Sequence, residues 1–582
     1  MVQLLPGWFT VPVPSRALQV CWPVPQRLLL TLAIWLCLGL LGPAAAWAGQ
    51  PVIDLQQGWR PGEVELYHHT SEGTNLAPLE LALALPDPNR PGHRFLDDLD
   101  QRYGFIASPV SAANPHGLPV GLAVDPRPQR YGDRAYLGLT CAVCHTRELQ
   151  ARPLSWRQGL QPMRMPVHGG PALVNLPAFD SDFYGAFEAL LADDAALAPY
   201  AAAVLGGPAD PAAIAGLRAE IEDLLGPVRA TRQLIAAMGV ERADFGPGNL
   251  NALSQGNYNN AGLTTWLVRR GLAEPSGDTP LKIGFEGTVN LPPVWFAHQD
   301  NWAQWFAEIH HPGPRNWVQS VSSSPVRPPR QAEALKAGAI VASVDFDGIE
   351  AIQEAVVRLR TPLWPQQVFG APDPQLLHQG QALFGEHCAS CHLSSPQPAN
   401  GAGRRFRERR AFAVGTDPLA VEQFAADAQQ RAASLTRLSE AILRLRHAQL
   451  LARFNNDATL VANTELFDSR GLPNRFDLAR DYDGKEGAAY WAPPLEGVFA
   501  TSPYLHNGSV RTLTDLLTPP EQRPRQFRTG SNLYNPRQLG LEDAGPFVYD
   551  TSEPGKGAQG HAYGTDLPAG QKRALLEYLK SL

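Results

Sequence analysis

Methionine is scarce in this 582-residue chain: four residues, Met1, Met163, Met165 and Met238, with none in the second half. No thioether from that half can therefore ligate anything bound there. Cysteine is almost as rare, six residues, of which Cys21 and Cys37 lie within the first 48. There is no basic excess: the formal net charge is −7, which disfavours nucleic acid and anionic membrane surfaces as partners. No apolar run is comfortably long enough to span a bilayer, and no repeat of short fixed period is present. Hydrophobic content of 44% with 18% charged residues fits an ordinary globular protein, and 54 prolines imply long irregular connections. A chain of this length is too large for one simple core, so two or three domains are expected.

The N-terminus reads as a targeting segment. Arg16 and Arg27 precede an apolar run over 28–41, and Ala46-Trp47-Ala48 gives an A-x-A cleavage pattern before Gly49. Residues 1–48 are thus expected to be a signal peptide and the mature protein to be periplasmic or secreted. Its removal takes away two arginines and no acids, moving the charge from −7 to −9, and leaves four cysteines.

Those four stand in two matching motifs, Cys141-Ala142-Val143-Cys144-His145 and Cys388-Ala389-Ser390-Cys391-His392. Each has the pattern of a c-type haem attachment site. Two thiols at this spacing add to the two vinyl groups of one porphyrin, and the adjoining imidazole then lies beneath the iron as an axial ligand. A zinc site would need further ligands and would leave both histidines unexplained. A thioredoxin-like pair lacks the expected βαβ surroundings. Two covalent haems follow, and they agree with export, since in bacteria such haem is normally attached outside the cytoplasm.

The expected fold is mainly α with long irregular loops and a few short strands, as two cytochrome c-like haem domains. The first is expected over 49–365 with loop-rich extensions, the second over 366–582. Apolar periodicity predicts helices over 182–191, 211–225 and 228–238, and a strand over 339–344. The proline-rich stretch 360–374 reads as a linker. A helix over 375–387 leads into Cys388, an amphipathic helix closes the chain over 570–580, and 418–454 reads as a helical insertion. The basic stretch 404–410 reads as a solvated loop.

The sixth iron position decides between electron transfer and chemistry. With no methionine after Cys388, the C-terminal haem is expected to be bis-histidine. The downstream candidates are His447, His506 and His561. His561, between Gly560 and Ala562-Tyr563-Gly564, is favoured, and His506 is the rival, as ligand or as partner of a haem propionate. For the N-terminal haem, His168, Met163 and Met165 are candidates, or the position is open beneath an aromatic pocket. The run from Leu291 to Phe306 holds Trp295, Phe296, Trp302, Trp305 and Phe306, which could be core, an apolar channel or a bridge for electrons. Glu286 is a candidate acid/base residue for splitting a peroxide bond.

The two motifs, the aromatic region between them and Ala500-Thr501-Ser502-Pro503-Tyr504-Leu505-His506-Asn507-Gly508-Ser509 resemble the bacterial dihaem cytochrome c peroxidase superfamily. The longer spacing between motifs and the missing methionine depart from the compact peroxidases, and the Gly560–Gly564 ending is similar to the larger branch, which includes rubber oxygenases and dihaem fatty-acid dioxygenases. The resemblance implies redox chemistry on H2O2 or O2, a small redox protein or small molecule as donor, and a possible apolar substrate. It further implies a reactive N-terminal haem over His145 with Trp295 or Trp302 near its pocket, and a calcium ion between domains. Peroxidase, dioxygenase of an unsaturated lipid or isoprenoid, and plain electron carrier all remain open.

Overall fold

The computed structural model describes residues 51–126, 134–152, 161–241, 245–269, 284–298, 343–392, 411–425 and 489–582. It also describes short pieces within 302–320, 397–406 and 446–453. Most of 404–410, 426–454 and 339–344 lies outside the described residues, as do residues 1–50, which include the expected signal peptide. Within them the chain is helices joined by long irregular stretches and short strands.

Helix α1 (Pro61–His69) starts with Pro61 at its first position, where a missing N–H costs nothing, and Glu63 accepts from the Arg60 amide at 3.0 Å. Strands β1 (Thr74–Pro78), β2 (Leu122–Asp125) and β3 (Tyr136–Leu139) form a sheet in the order β1-β3-β2. Strands β4 (Thr146–Ala151) and β5 (Met163–His168) follow the first cysteine motif as an antiparallel pair. Two late strands, β6 (Leu533–Asn535) and β7 (Gly540–Leu541), complete that sheet in the order β7-β6-β4-β5, with β6 parallel to β4. The second half thus adds strands to a sheet begun by the first.

Helices α2 (Leu176–Ala192), α3 (Asp194–Leu205) and α4 (Pro211–Ala237) are capped by Asn175, Asp193 and Asp210, each accepting from an amide of the first turn. The expected break near residue 226 is absent: α4 runs through Pro227. Proline inside a helix loses a hydrogen bond, and here the neighbouring α5 (Ala252–Arg269) compensates by packing. Trp266 fills the space where Gly226 has no side chain, and the Thr231 hydroxyl donates to the Pro227 carbonyl at 3.0 Å.

Helix α6 (Phe346–Arg358) packs on α1. Helix α7 (Pro374–His387) is capped by Asp373 and delivers Cys388, while α8 (Ala569–Leu579) ends the fold. The two cross where Gly380 lies against the Ala574 carbonyl, so close that a Cβ would sit 2.0 Å from that oxygen. Phe384 and Tyr578 rings meet at 5.2 Å beside the crossing.

One buried cluster joins both halves. It takes Ile53, Leu149, Met165, Trp295, Leu359, Trp364, Phe384, Phe499 and Leu579 into a single core. The stretch expected to be a linker is part of it: Trp364 packs on Phe369 at 5.1 Å and on Phe499 at 5.4 Å. A second core lies under α2–α4.

Candidate haem sites

The first motif makes one tight turn, Cys141–Val143, closed by the His145 amide donating to the Cys141 carbonyl at 2.9 Å. Helix α1 lies along it, and the Tyr67 hydroxyl donates to the His145 carbonyl at 3.3 Å. His145 Nδ1 stands 2.9 Å from the Pro292 carbonyl. A carbonyl only accepts, so Nδ1 carries the proton and Nε2 is the nitrogen free of hydrogen, the tautomer a metal-binding imidazole needs.

The second motif repeats this device. Helix α7 ends at His387, a single turn Ala389–His392 follows, and His392 Nδ1 donates to the Pro493 carbonyl at 2.7 Å. The two acceptors stand in matching Pro-Pro pairs, Pro292-Pro293 and Pro493-Pro494. Two copies of one local arrangement are therefore present, each fixing its histidine in the same tautomer.

A predominantly apolar cavity opens at the second motif, walled by Cys388, Cys391, His392, His506 and His561 and by Leu291 of the first half. The His392 and His561 ring centres lie 6.2 Å apart. Two imidazoles bound at about 2 Å to one metal, with roughly 1 Å more from nitrogen to ring centre on each side, stand about 6 Å apart. The residues present fit a haem iron ligated from both faces. Burial lowers the pKa of both, His561 to about 4, where the charges of His392 and Arg523 add to the burial. Both rings are thus neutral at pH 7, as ligation requires. Burial pushes the Cys388 thiol up to about 11.

His561 has a positive φ of 46°, next to Gly560 at 71°. Such a conformation is costly for a residue with a Cβ. It is held by the His561 amide, which donates to the Val414 carbonyl at 2.9 Å, and by Arg523. Burial also lowers the Arg523 pKa, to about 10.

His506 lines the same cavity in a different role. Its ring stacks on Tyr490 at 3.6 Å and 12°, its Nε2 is buried without a hydrogen-bond partner among the described residues, and its carbonyl accepts from the Asn290 amide at 2.6 Å. The ring paired with His392 is that of His561. His447 is exposed on a helical piece.

The remaining candidates disperse. His168 pairs with Thr146 across β4 and β5, so its side chain leaves the sheet on Thr146's face. There it lies 5.3 Å from the Trp59 ring and 5.5 Å from His68. Met165 is core, Met163 packs at the edge of that core, and Met238 joins the cluster of Phe245, Tyr258 and Phe285. Glu286 accepts from the Gln423 amide at 2.8 Å, away from the cavity lining. The aromatic run divides. Trp295 and Phe296 enter the shared core, whereas Trp305 and Phe306 pack with Tyr490, Trp491 and Phe424 beside the C-terminal cavity. Trp302 lies on a two-residue strand paired with Ile309–His310.

Sequence reasoning missed the segment that serves both sites. Pro292 holds His145, while Leu291 and Pro292 also wall the C-terminal cavity. Asn290 anchors the segment by donating to the Pro503 and Leu505 carbonyls at 3.1 and 2.9 Å, and its own carbonyl accepts from Trp305 Nε1 at 2.7 Å. The repeated Pro-Pro pair was the available signal. Also missed were Glu72, whose carboxylate takes the Cys141 amide, and Arg147, a buried guanidinium that donates to the Ser502 carbonyl. No group of three or more His, Cys, Asp or Glu side chains gathers as a metal cage among the described residues.

The buried histidines set an acid limit. Burial lowers His168 to about 4 and His506 to about 3, below the roughly 6.5 of an unfolded histidine. Between those values the unfolded chain binds the proton and the folded one does not. Their stabilisation is therefore complete above pH 6.5 and is lost as pH falls toward 4, at about 1.4 kcal/mol per pH unit for each. Urea-unfolding curves from pH 7 to pH 4 should show this slope, and His168→Asn should flatten it by one proton.

Comparison with known proteins places a family likeness in the C-terminal part of the chain. Residues 489–528, which include Pro493, His506 and Arg523, match the family model described as RoxA-like, cytochrome c-like. Two proteins of Sinorhizobium fredii (strain NBRC 101917 / NGR234) are similar to the chain. One, uncharacterized protein y4iJ, is 28% identical over 589 residues, 91% of this chain and 93% of that protein. The other, uncharacterized protein y4iM, is 27% identical over 292 residues, 48% of this chain and 57% of that protein. Residues 489–528 are thus similar to RoxA-like cytochrome c-like domains, a likeness that suggests haem oxidoreductase activity and implies a covalent c-type haem.

Proposed function

We propose that the chain is an exported dihaem c-type oxidoreductase. In this reading His392 and His561 would hold a haem attached at Cys388 and Cys391 for electron transfer, and His145 would hold one attached at Cys141 and Cys144, where H2O2 or O2 would be met. The paired imidazoles at 6.2 Å carry the reading. An iron with both axial positions filled by strong ligands transfers electrons, which leaves small-molecule chemistry to the other site. The duplicated imidazole-to-proline contact supports a second haem at the first motif. When bound, haem supplies one-electron chemistry and, at an open sixth position, a place for peroxide or dioxygen.

The chain's own residues orient and insulate. Pro292 and Pro493 hold the imidazole tautomers, and largely apolar walls line the second site. His145 is 7% exposed, while the second motif is partly exposed with Tyr563 of the cavity wall 47% exposed. A small redox protein or small molecule thus delivers electrons at the second motif, and the first is the shielded place for reaction. Within this scheme reduction of H2O2 is the first reading. Dioxygenation of an unsaturated lipid or isoprenoid is the second, favoured by the RoxA-like match. Trp295 or Trp302 would then lie near the reactive pocket, and the calcium ion belongs to the same set of proposals.

Optical and EPR spectra of the purified protein test this. One low-spin haem that ignores carbon monoxide and a second that binds it are expected. Two low-spin haems inert to peroxide, dioxygen, cyanide and carbon monoxide would leave only an electron carrier. Consumption of H2O2 with a reduced donor marks the first reading, and O2 uptake with an isoprenoid but no donor marks the second.

A further inference from the structure

Arg523 is buried, 5% exposed, and every N–H of its guanidinium goes to a main-chain carbonyl. Nε donates to Thr518 at 3.2 Å. Nη1 donates to Ala558 at 2.6 Å and Gly560 at 2.9 Å, and Nη2 to Leu516 and His561, each at 3.0 Å. A guanidinium has five donors, so none is left for a carboxylate. The side chain ties the end of one segment, 516–518, to the turn 558–561 that presents His561. That turn has two successive residues in the left-handed region, one of them the histidine itself.

We propose that Arg523 is the positioning residue of the C-terminal haem: it clamps the His561 turn in ligating geometry and sets a buried positive charge beside the iron's sixth ligand. The proposal rests on the bis-histidine reading above. Two effects follow from one side chain. Its five hydrogen bonds tie down a strained turn that no other side chain clamps among the described residues. Its charge favours the reduced iron, because the added electron is attracted to it. In a chain with no methionine available to raise the potential of this haem, that charge offsets the low potential of bis-histidine ligation.

The test uses the purified holo-protein with Arg523→Gln and Arg523→Lys, read by low-temperature EPR and by optical redox titration. Arg523→Gln is expected to lose a large part of the C-terminal low-spin signal and to lower the midpoint potential of what remains. Added imidazole should restore the low-spin signal without restoring the potential, a split that a general folding defect does not give. Arg523→Lys keeps the charge with three donors in place of five, so its low-spin fraction falls while its potential stays near that of the parent. Where the glutamine variant fails to fold, the lysine variant decides alone. A full low-spin signal at the parent potential in Arg523→Gln, or an unchanged low-spin fraction in Arg523→Lys, overturns the proposal. His561→Ala measured alongside separates the two ideas. If it leaves the low-spin signal intact, the assignment of His561 as the second ligand itself fails, whatever Arg523 does.

Discussion

His561→Ala is expected to turn the C-terminal haem from low spin to high spin, removing about half of the low-spin signal of a two-haem protein in which both irons are low spin, or nearly all of it where the other is high spin. The expectation rests on ring centres 6.2 Å apart and on the absence of any methionine after Cys388. Exogenous imidazole should refill the vacated position and restore the spectrum. His506→Ala should leave the spin state unchanged, because that ring is stacked on Tyr490 at 3.6 Å and its main chain is tied to Asn290. A low-spin signal that survives His561→Ala and is lost in His506→Ala would make His506 the ligand instead. The measurement is an EPR spectrum at low temperature with an optical spectrum of the same sample.

Phe499→Ala should destabilise the protein by about 3–5 kcal/mol, the cost of emptying a fully buried aromatic site. Phe499 is 0% exposed and packs edge-on against Trp364 in the cluster that both halves share. The loss should therefore not be confined to the C-terminal half. In urea, far-UV circular dichroism and the absorbance of the two haems should shift together to lower denaturant as one transition. Two separated transitions, with only the C-terminal one moved, would mean that the halves fold independently and that the shared core is energetically minor.

Much of the C-terminal site was legible because its signals are local. Asp373, Pro374 and the apolar spacing of α7 announce a helix that must end at the cysteine motif, and the terminal helix shows the same regularity. His561 was reachable by elimination, since flanking glycines and a lack of rivals left few choices. The N-terminal site was less legible. The run from Leu291 to Phe306 is uniformly aromatic and apolar, so nothing in it says that Trp295 joins one core and Trp305 another. Pro227 looked like a helix end because the compensating contacts come from Trp266 and Thr231, one of them on another helix. Nothing local marks Arg523, as three of its five acceptors are carbonyls of the turn 558–561, 35 to 38 positions away.

By itself the sequence determined the chemistry available to this protein: two thiol pairs each followed by a histidine, and no thioether in the second half. Those facts depend on which atoms the chain has, and no packing can alter them. The tertiary structure decided which imidazole faces His392, which carbonyls fix the two tautomers, and that one segment, Asn290 to Pro293, serves both sites. These are contacts between residues about 100 to more than 200 positions apart. A contact of that kind follows from how side chains fill a common core, where burial leaves few arrangements that satisfy every carbonyl and charge.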